Sequence, residues 1–270
     1  PEYLLPVKGI RLATINAGIR YKNRDDILLI EAVAGSTAAA VFTRNAFCAA
    51  PVTVARQHLA QTQPRYLLIN AGNANAGTGE LGLTAATATC AALAQAAGCQ
   101  TQEVLPFSTG VIGVQLPVDK VTAVMPALVS SLTEDYWMTA ARAIMTTDTL
   151  PKGISRTLIV GGKTVTVTGI AKGSGMIHPN MATMLGYIAT DAKVDAALLQ
   201  QLLSDITDET FNCVTVDGDT STNDALVLLA TGASGVDIVN ADSASFRSAL
   251  KEVCLFLAQA IVRDGEGATK

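Results

Sequence analysis

Between residues 172 and 188 the chain reads KGSGMIHPNMATMLGYI. The stretch is nearly free of charge, and it offers Lys172, Ser174, His178 and Thr183 to chemistry. Ser174 stands between glycines, but a nucleophile elbow needs G-x-S-x-G after a strand, and the pattern here is K-G-S-G. No histidine–acid pair accompanies it, so Ser174 reads as structural. His178 precedes proline and reads as a structural or rim histidine. A threonine hydroxyl is a poor nucleophile unless a base stands beside it. A threonine that begins a chain brings its own base, an α-amine with a pKa of about 7.7–8.0. An internal threonine reaches that state when the peptide bond before it is cut. Ala182–Thr183 suits such a cut: alanine crowds the carbonyl little, and Gly173, Gly175 and Pro179 can hold a tight turn. On these residues alone, Thr183 as an ordinary strand-start residue is the plainer reading.

Two further stretches have chemical appeal. AGNANAGTGELG follows the apolar run YLLIN and resembles a phosphate-binding loop, because glycine lets backbone N–H groups approach an anion. It lacks the lysine of G-x-x-x-x-G-K-[ST] and fails the G-x-G-x-x-G spacing, so a structural loop packed close to the site is preferred. VDGDTSTND gathers Asp217, Asp219, Ser221 and Asp224 like a calcium loop. Its sixth position is Thr222 instead of glycine and its twelfth is Leu228 instead of glutamate, which excludes that reading. A hydrogen-bonded acidic turn near the site remains.

The 270 residues suffice for one large domain or two medium ones; 49% are hydrophobic and 16% charged, enough to bury a large core under a modest charged shell. With a formal net charge of −4 and no basic stripe among the aromatics, nucleic acid is not an expected partner. No apolar run reaches transmembrane length and no signal peptide opens the chain, so a cytoplasmic, membrane-free protein is expected. The five cysteines, Cys48, Cys90, Cys99, Cys213 and Cys254, are odd in number and lack metal-ligand spacing, and they read as buried free thiols in a reducing compartment. His58 and His178 are the only histidines, which disfavours a His-rich metal site.

The elements that must position these residues are mixed in order. DILLIEAVAG, STAAAVFTRN and PRYLLINAGN read as strands. LGLTAATATCAALAQAAGC reads as a helix capped by Thr84 and ended by Gly98. VLPFSTGVIGVQLP reads as a strand and loop; VDKVTAVMPALVSSL and TEDYWMTAARAIMT read as helices, the second capped by Thr133. RTLIVGGKTVTVTGIAKG reads as a hairpin turning at Gly161-Gly162. DAALLQQLLSDITDETF reads as an amphipathic helix, CVTVDGDTSTND as a strand running into a loop, DALVLLATG as an apolar run, and SASFRSALKEVCLFLAQAIVRDG as a long helix ending at Gly265. Without a steady βαβ alternation, α+β layers are favoured over a doubly wound sheet. The chain stops at the Gly-rich DGEGATK, where a cut sequence is expected.

KGSGMIHPNMATML resembles the self-cleavage motif of the ornithine acetyltransferase (glutamate N-acetyltransferase) family of arginine biosynthesis. NAGNANAGTG, PFSTGVIG, IMTTDT, CVTVDGDTSTND and VRDGEGATK match in the same order over essentially the whole chain. The resemblance implies a precursor that cuts itself between Ala182 and Thr183. Residues 1–182 then form an α chain and 183–270 the start of a β chain truncated at its C-terminal end. It implies Thr183 as nucleophile, Thr109 and Gly110 as the oxyanion-hole pair, and Thr149, Lys172, Thr183 and Glu266 as substrate-binding residues, with Thr146 and Thr147 close to Thr149. It further implies an αββα sandwich with Thr183 opening a central strand, an α2β2 assembly, and neither metal nor cofactor. The implied reaction moves acetyl from N2-acetylornithine to L-glutamate by ping-pong covalent catalysis. The alternatives are acetyl-CoA as an additional donor, a related self-cleaving amidohydrolase or aminopeptidase, and a glycine-rich anion-binding module.

Overall fold

The computed structural model describes residues 3–174, 184–214, 221–239 and 243–265. Strands β1 (Ile10–Ile15), β2 (Ile27–Ala32), β4 (Tyr66–Asn70) and β5 (Val104–Ser108) form one sheet in the order β1-β2-β4-β5. Strands β3 (Thr37–Phe42), β9 (Ala225–Ala230), β8 (Leu185–Thr190), β7 (Lys163–Lys172) and β6 (Lys152–Val160) form the second, in the order β3-β9-β8-β7-β6. The pairs β4–β5 and β8–β9 are parallel, and the remaining pairs are antiparallel.

Side-chain parity makes the layers. Successive strand residues face opposite sides of a sheet, so a strand buried on both faces reads as a continuous apolar run. Leu28, Ile30, Leu67 and Ile69 of the first sheet meet Leu185, Tyr187, Val227 and Leu229 of the second in a core between the sheets. Their neighbours Ile27, Leu29, Tyr66 and Leu68 face outward onto α2 (Gly79–Ala97), α3 (Val118–Ala123) and α4 (Met125–Ser130). Ile188, Leu226 and Leu228 face the other way, onto α6 (Ala196–Glu209) and α7 (Ser243–Arg263). The result is the expected αββα sandwich. Helix α5 (Trp137–Ala143) plugs its flank, with Trp137, Ala140 and Ala141 in the inter-sheet core.

Several local expectations change. Helix α2 begins at Gly79 after Thr78, leaving Thr84 inside the helix; Gly98 does end it, in the left-handed region at φ 71°. Thr133 caps no helix: it exchanges backbone hydrogen bonds with Leu12 at 2.7 and 3.0 Å, and α5 starts four residues later. The stretch 118–130 divides into α3 and α4, with Pro126 in the first turn of α4, where its missing N–H costs least. Helix α1 (Ala50–Gln61) lies between the expected strands STAAAVFTRN and PRYLLINAGN, where no helix is expected. Its opening Pro51-Val52-Thr53-Val54 is rich in β-branched residues that obscure the helical period. Helix α7 closes at Arg263, two residues before Gly265. Of the stretch CVTVDGDTSTND expected to begin as a strand, Cys213 ends a short 3-10 turn over Phe211–Cys213, and residues 215–220 lie outside the described residues. Of the cysteines only Cys90 and Cys254 are buried; Cys48 and Cys99 are half-buried and Cys213 is exposed. The hairpin is as expected, with Gly161 and Gly162 at φ 56° and 78°, a pair of left-handed residues suited to a two-residue turn.

Candidate active site

Both sheets deliver their polar ends to one side of the sandwich. Strands β4 and β5 finish together at the paired Asn70 and Ser108. Strands β8 and β9 begin together at Leu185 and Ala225, and β7 finishes at Lys172, paired with Leu185. Thr109 follows β5 directly, and Thr183 lies two residues before β8.

Lys172 is buried, and its Nζ donates to Thr109 Oγ1 at 3.2 Å across the gap between the sheets. Burial lowers its pKa; the charges of Asp148 and Asp224 oppose that and Lys152 adds to it. Thr109 is itself buried, and its amide is spent on Asn70 O at 2.9 Å. Gly110 sits at φ 128°, and a Cβ there would come within 2.6–2.8 Å of the backbone of Gly72 and Asn73. Only glycine fits. Among the described residues the Gly110 N–H has no acceptor. A threonine hydroxyl and an amide without an acceptor among the described residues therefore stand side by side, the kind of donor pair that an oxyanion needs.

The loop after β4 is spent on structure. Asn70 Oδ1 accepts from the amides of Gly72 and Asn73 at 3.1 and 2.9 Å, and Asn73 Oδ1 accepts from that of Asn75 at 2.7 Å. Asn75 Nδ2 donates to Gly82 O at 2.9 Å, and Thr78 Oγ1 donates to Asn75 Oδ1 at 2.8 Å. The loop is a scaffold for the Gly72–Gly110 contact, in keeping with the preferred reading of AGNANAGTG.

Beyond Lys172 lies a buried ion network. Lys152 Nζ donates to Asp148 Oδ1 at 2.7 Å and to Asp264 Oδ2 at 2.5 Å, and all three side chains are at most 8% exposed. Asp148 Oδ1 also accepts from the Gly173 amide at 2.7 Å, next to Lys172. Burial alone would raise the Asp148 carboxyl, but the charges of Lys172 and Lys152 with the Gly173 hydrogen bond hold it below its ordinary value. Thr149 is exposed, and both its amide and its hydroxyl donate to Asp264. The hydroxyl that reaches toward the end of β7 is that of Thr147, paired with Ser174 Oγ at 2.6 Å. Ser174 is thus buried and satisfied, as a structural residue should be.

Sequence reasoning about single residues passed over Asn223 and treated Asp224 only as part of an acidic turn. Asp224 is buried; its Oδ1 accepts from the Met184 amide at 2.9 Å, and its Oδ2 has no hydrogen-bond partner among the described residues. Burial pushes this carboxyl well above its ordinary value, against the Met184 amide, the Ser221 hydroxyl and the charge of Lys172. Asn223 Nδ2 donates to Ala74 O at 2.7 Å and Ser108 O at 2.8 Å, tying the second sheet to the first. The available signal was two polar residues directly ahead of the apolar run of β9. Ala182, Thr183, Glu266, His178, Asp217 and Asp219 lie outside the described residues.

The ArgJ family model matches residues 11–270. The arginine biosynthesis bifunctional protein ArgJ of Methylococcus capsulatus is 58% identical over 270 residues, covering 99% of this chain and 66% of that protein. The chain therefore spans about two thirds of the length of that relative. A solved ornithine acetyltransferase of Mycobacterium tuberculosis, complexed with ornithine, is 35% identical with a TM-score of 0.56, over 64% of this chain and 92% of that one. An L-aminopeptidase D-Ala-esterase/amidase of Ochrobactrum anthropi, described as a variant of the Ntn hydrolase fold, matches 97% of this chain and 87% of its own with a TM-score of 0.55. At 10% identity that likeness concerns the fold alone. The motif order, the layered sandwich and these matches agree, and the chain belongs to the ArgJ family.

Proposed function

We propose that this chain transfers the acetyl group of N2-acetylornithine to L-glutamate through an acetyl ester on Thr183. The supporting observation is the Lys172–Thr109 contact beside Gly110, at the side of the sandwich where the strand after Thr183 begins. Because Lys172 donates to Thr109 Oγ1, the Thr109 hydroxyl proton is left for a different acceptor. The acyl oxygen is that acceptor, and the Gly110 N–H is its second donor. One such donor is worth about 2.7–4 kcal/mol in the transition state.

The chain first cuts itself: Thr183 Oγ attacks the Ala182 carbonyl, the amide becomes an ester, and water releases residues 1–182 from 183–270. The new α-amine of Thr183 is the base. In the first transfer Thr183 Oγ bonds to the acetyl carbon, the carbon–nitrogen bond to ornithine breaks, and the amine relays the Thr183 proton to the leaving nitrogen. In the second, the glutamate amine attacks the ester, the carbon–oxygen bond breaks, and the proton returns to Thr183 Oγ. Lys172 supplies its remaining donors to a substrate carboxylate. Glu266 holds the cationic end of ornithine, and Thr149, anchored on Asp264, contributes to substrate binding. Water must be kept from the ester, or the enzyme becomes a deacetylase. The two fragments stay together as α2β2 in the cytoplasm.

Ornithine release with and without glutamate tests the reading. Sustained release that requires glutamate, with N-acetylglutamate formed in equal amount, is expected. Sustained release of ornithine and acetate without glutamate would make the protein a hydrolase.

A further inference from the structure

Catalysis by Thr183 and the Thr109–Gly110 pair needs the start of β8 and the end of β5, which belong to different sheets, to hold a fixed spacing. An error of about 1 Å between a nucleophile and its oxyanion donors costs on the order of a hundredfold in rate. Nothing in the Lys172–Thr109 contact sets that spacing, because a lysine side chain is long and flexible.

Two consecutive side chains do span it. Asn223 reaches from the start of β9 to the carbonyl of Ser108, the residue before Thr109, and to the carbonyl of Ala74 in the neighbouring loop. Asp224, the next residue, holds the amide of Met184, the residue after Thr183. Both side chains are buried. Their own backbone is pinned in turn. Thr43 N donates to Asp224 O at 3.0 Å, Ala49 N to Thr222 O at 2.8 Å, and the Asn223 amide to Ser221 Oγ at 3.1 Å. One rigid dipeptide thus touches the covalent neighbour of the nucleophile on one side and that of the oxyanion donor on the other.

We infer that Asn223 and Asp224 are positioning residues, a clamp that sets the distance between Thr183 and the Thr109–Gly110 oxyanion hole. The inference rests on the proposed roles of Thr183 and Thr109. It differs from a packing role because its effect must pass through Thr109 on one arm and through the Met184 amide on the other. Asparagine suits the first arm, since its two N–H donors answer two carbonyls. The second arm needs an acceptor, not a charge, so asparagine at 224 can replace the carboxylate.

The test uses the full chain and counts working sites by the burst of ornithine released from acetylornithine without glutamate, so that kcat is expressed per acetylatable site. Asn223→Ala should lower that kcat about a hundredfold. Combined with Thr109→Ala it should fall no more than about threefold below Thr109→Ala alone, because both act on one oxyanion hole. Asp224→Ala should slow self-cleavage and per-site turnover together, and Asp224→Asn should restore both to within about tenfold of the parent. If Asn223→Ala gives no folded protein, Asn223→Ser keeps one donor and is read against the same thresholds. A per-site kcat for the Asn223 variant within about threefold of the parent, or a fully multiplicative double variant, overturns the clamp. Should Thr109→Ala itself turn over like the parent, the oxyanion assignment fails instead, and the clamp falls with it.

Discussion

Two lysines, one at each end of the β6–β7 hairpin's site-facing edge, meet opposite fates. Lys152 opens β6 and Lys172 closes β7, and they are 3% and 4% exposed. Lys152 is held by two carboxylates at 2.7 and 2.5 Å. Among the described residues Lys172 has one hydroxyl at 3.2 Å and no salt bridge, while burial draws its pKa down. A buried cation with its counter-ions in contact is structure. We read the one left with spare donors, beside the proposed oxyanion hole, as a binding group for a ligand's charge.

The comparison is broken most severely by removing what Lys172 serves. Thr183→Ala should leave a single uncut chain, seen as one mass under denaturing conditions, and abolish acetyl transfer. Next in size, Lys152→Met strips the counter-charge from two buried carboxylates and should cost about 3–5 kcal/mol in denaturant unfolding, with per-site kcat largely retained. Lys172→Met should do the reverse: kcat/KM falls about tenfold to a hundredfold, as for the loss of a charge-assisted hydrogen bond to substrate worth about 1.5–3 kcal/mol, while the midpoint of thermal melting drops far less than in Lys152→Met. Burial disfavours the Lys172 charge, which offsets what its attraction to Asp148 contributes, so less stability is lost with it. The smallest effect is in acid. The Asp148 and Asp264 carboxyls are held below their ordinary value of 3.8. Their contribution is fully present above about that pH and is lost as pH falls through the lowered values. Melting followed from pH 5 downward should show that loss, and Asp148→Asn should flatten it.

The α+β class was legible in the mixed order of the elements, and β2 in its unbroken apolar run ILLIEA, as a strand buried on both faces should be; the αββα layering came through the motif resemblance. The hairpin was legible because Gly161-Gly162 has a defined turn geometry. Helix α1 was not, since its β-branched first turn copies a strand. Thr109, Gly110 and Lys172 were named through motif resemblance, and folding brings them together from positions 63 residues apart in the case of Lys172 and Thr109. Thr149 was named alongside Thr146 and Thr147, and choosing among three adjacent hydroxyls depends on side-chain direction that no spacing encodes. Asn223 escaped because its partners are backbone carbonyls, which carry no sequence signature at all.

The most direct measurement is the location of the acetyl group. The full chain would be incubated with acetylornithine without glutamate, quenched in acid, and its peptides mapped by mass. The account predicts one acetyl group, on the peptide that begins at Thr183, and its disappearance when glutamate is added. Acetyl on any other residue, or glutamate-dependent transfer by a chain still intact across Ala182–Thr183, would contradict it.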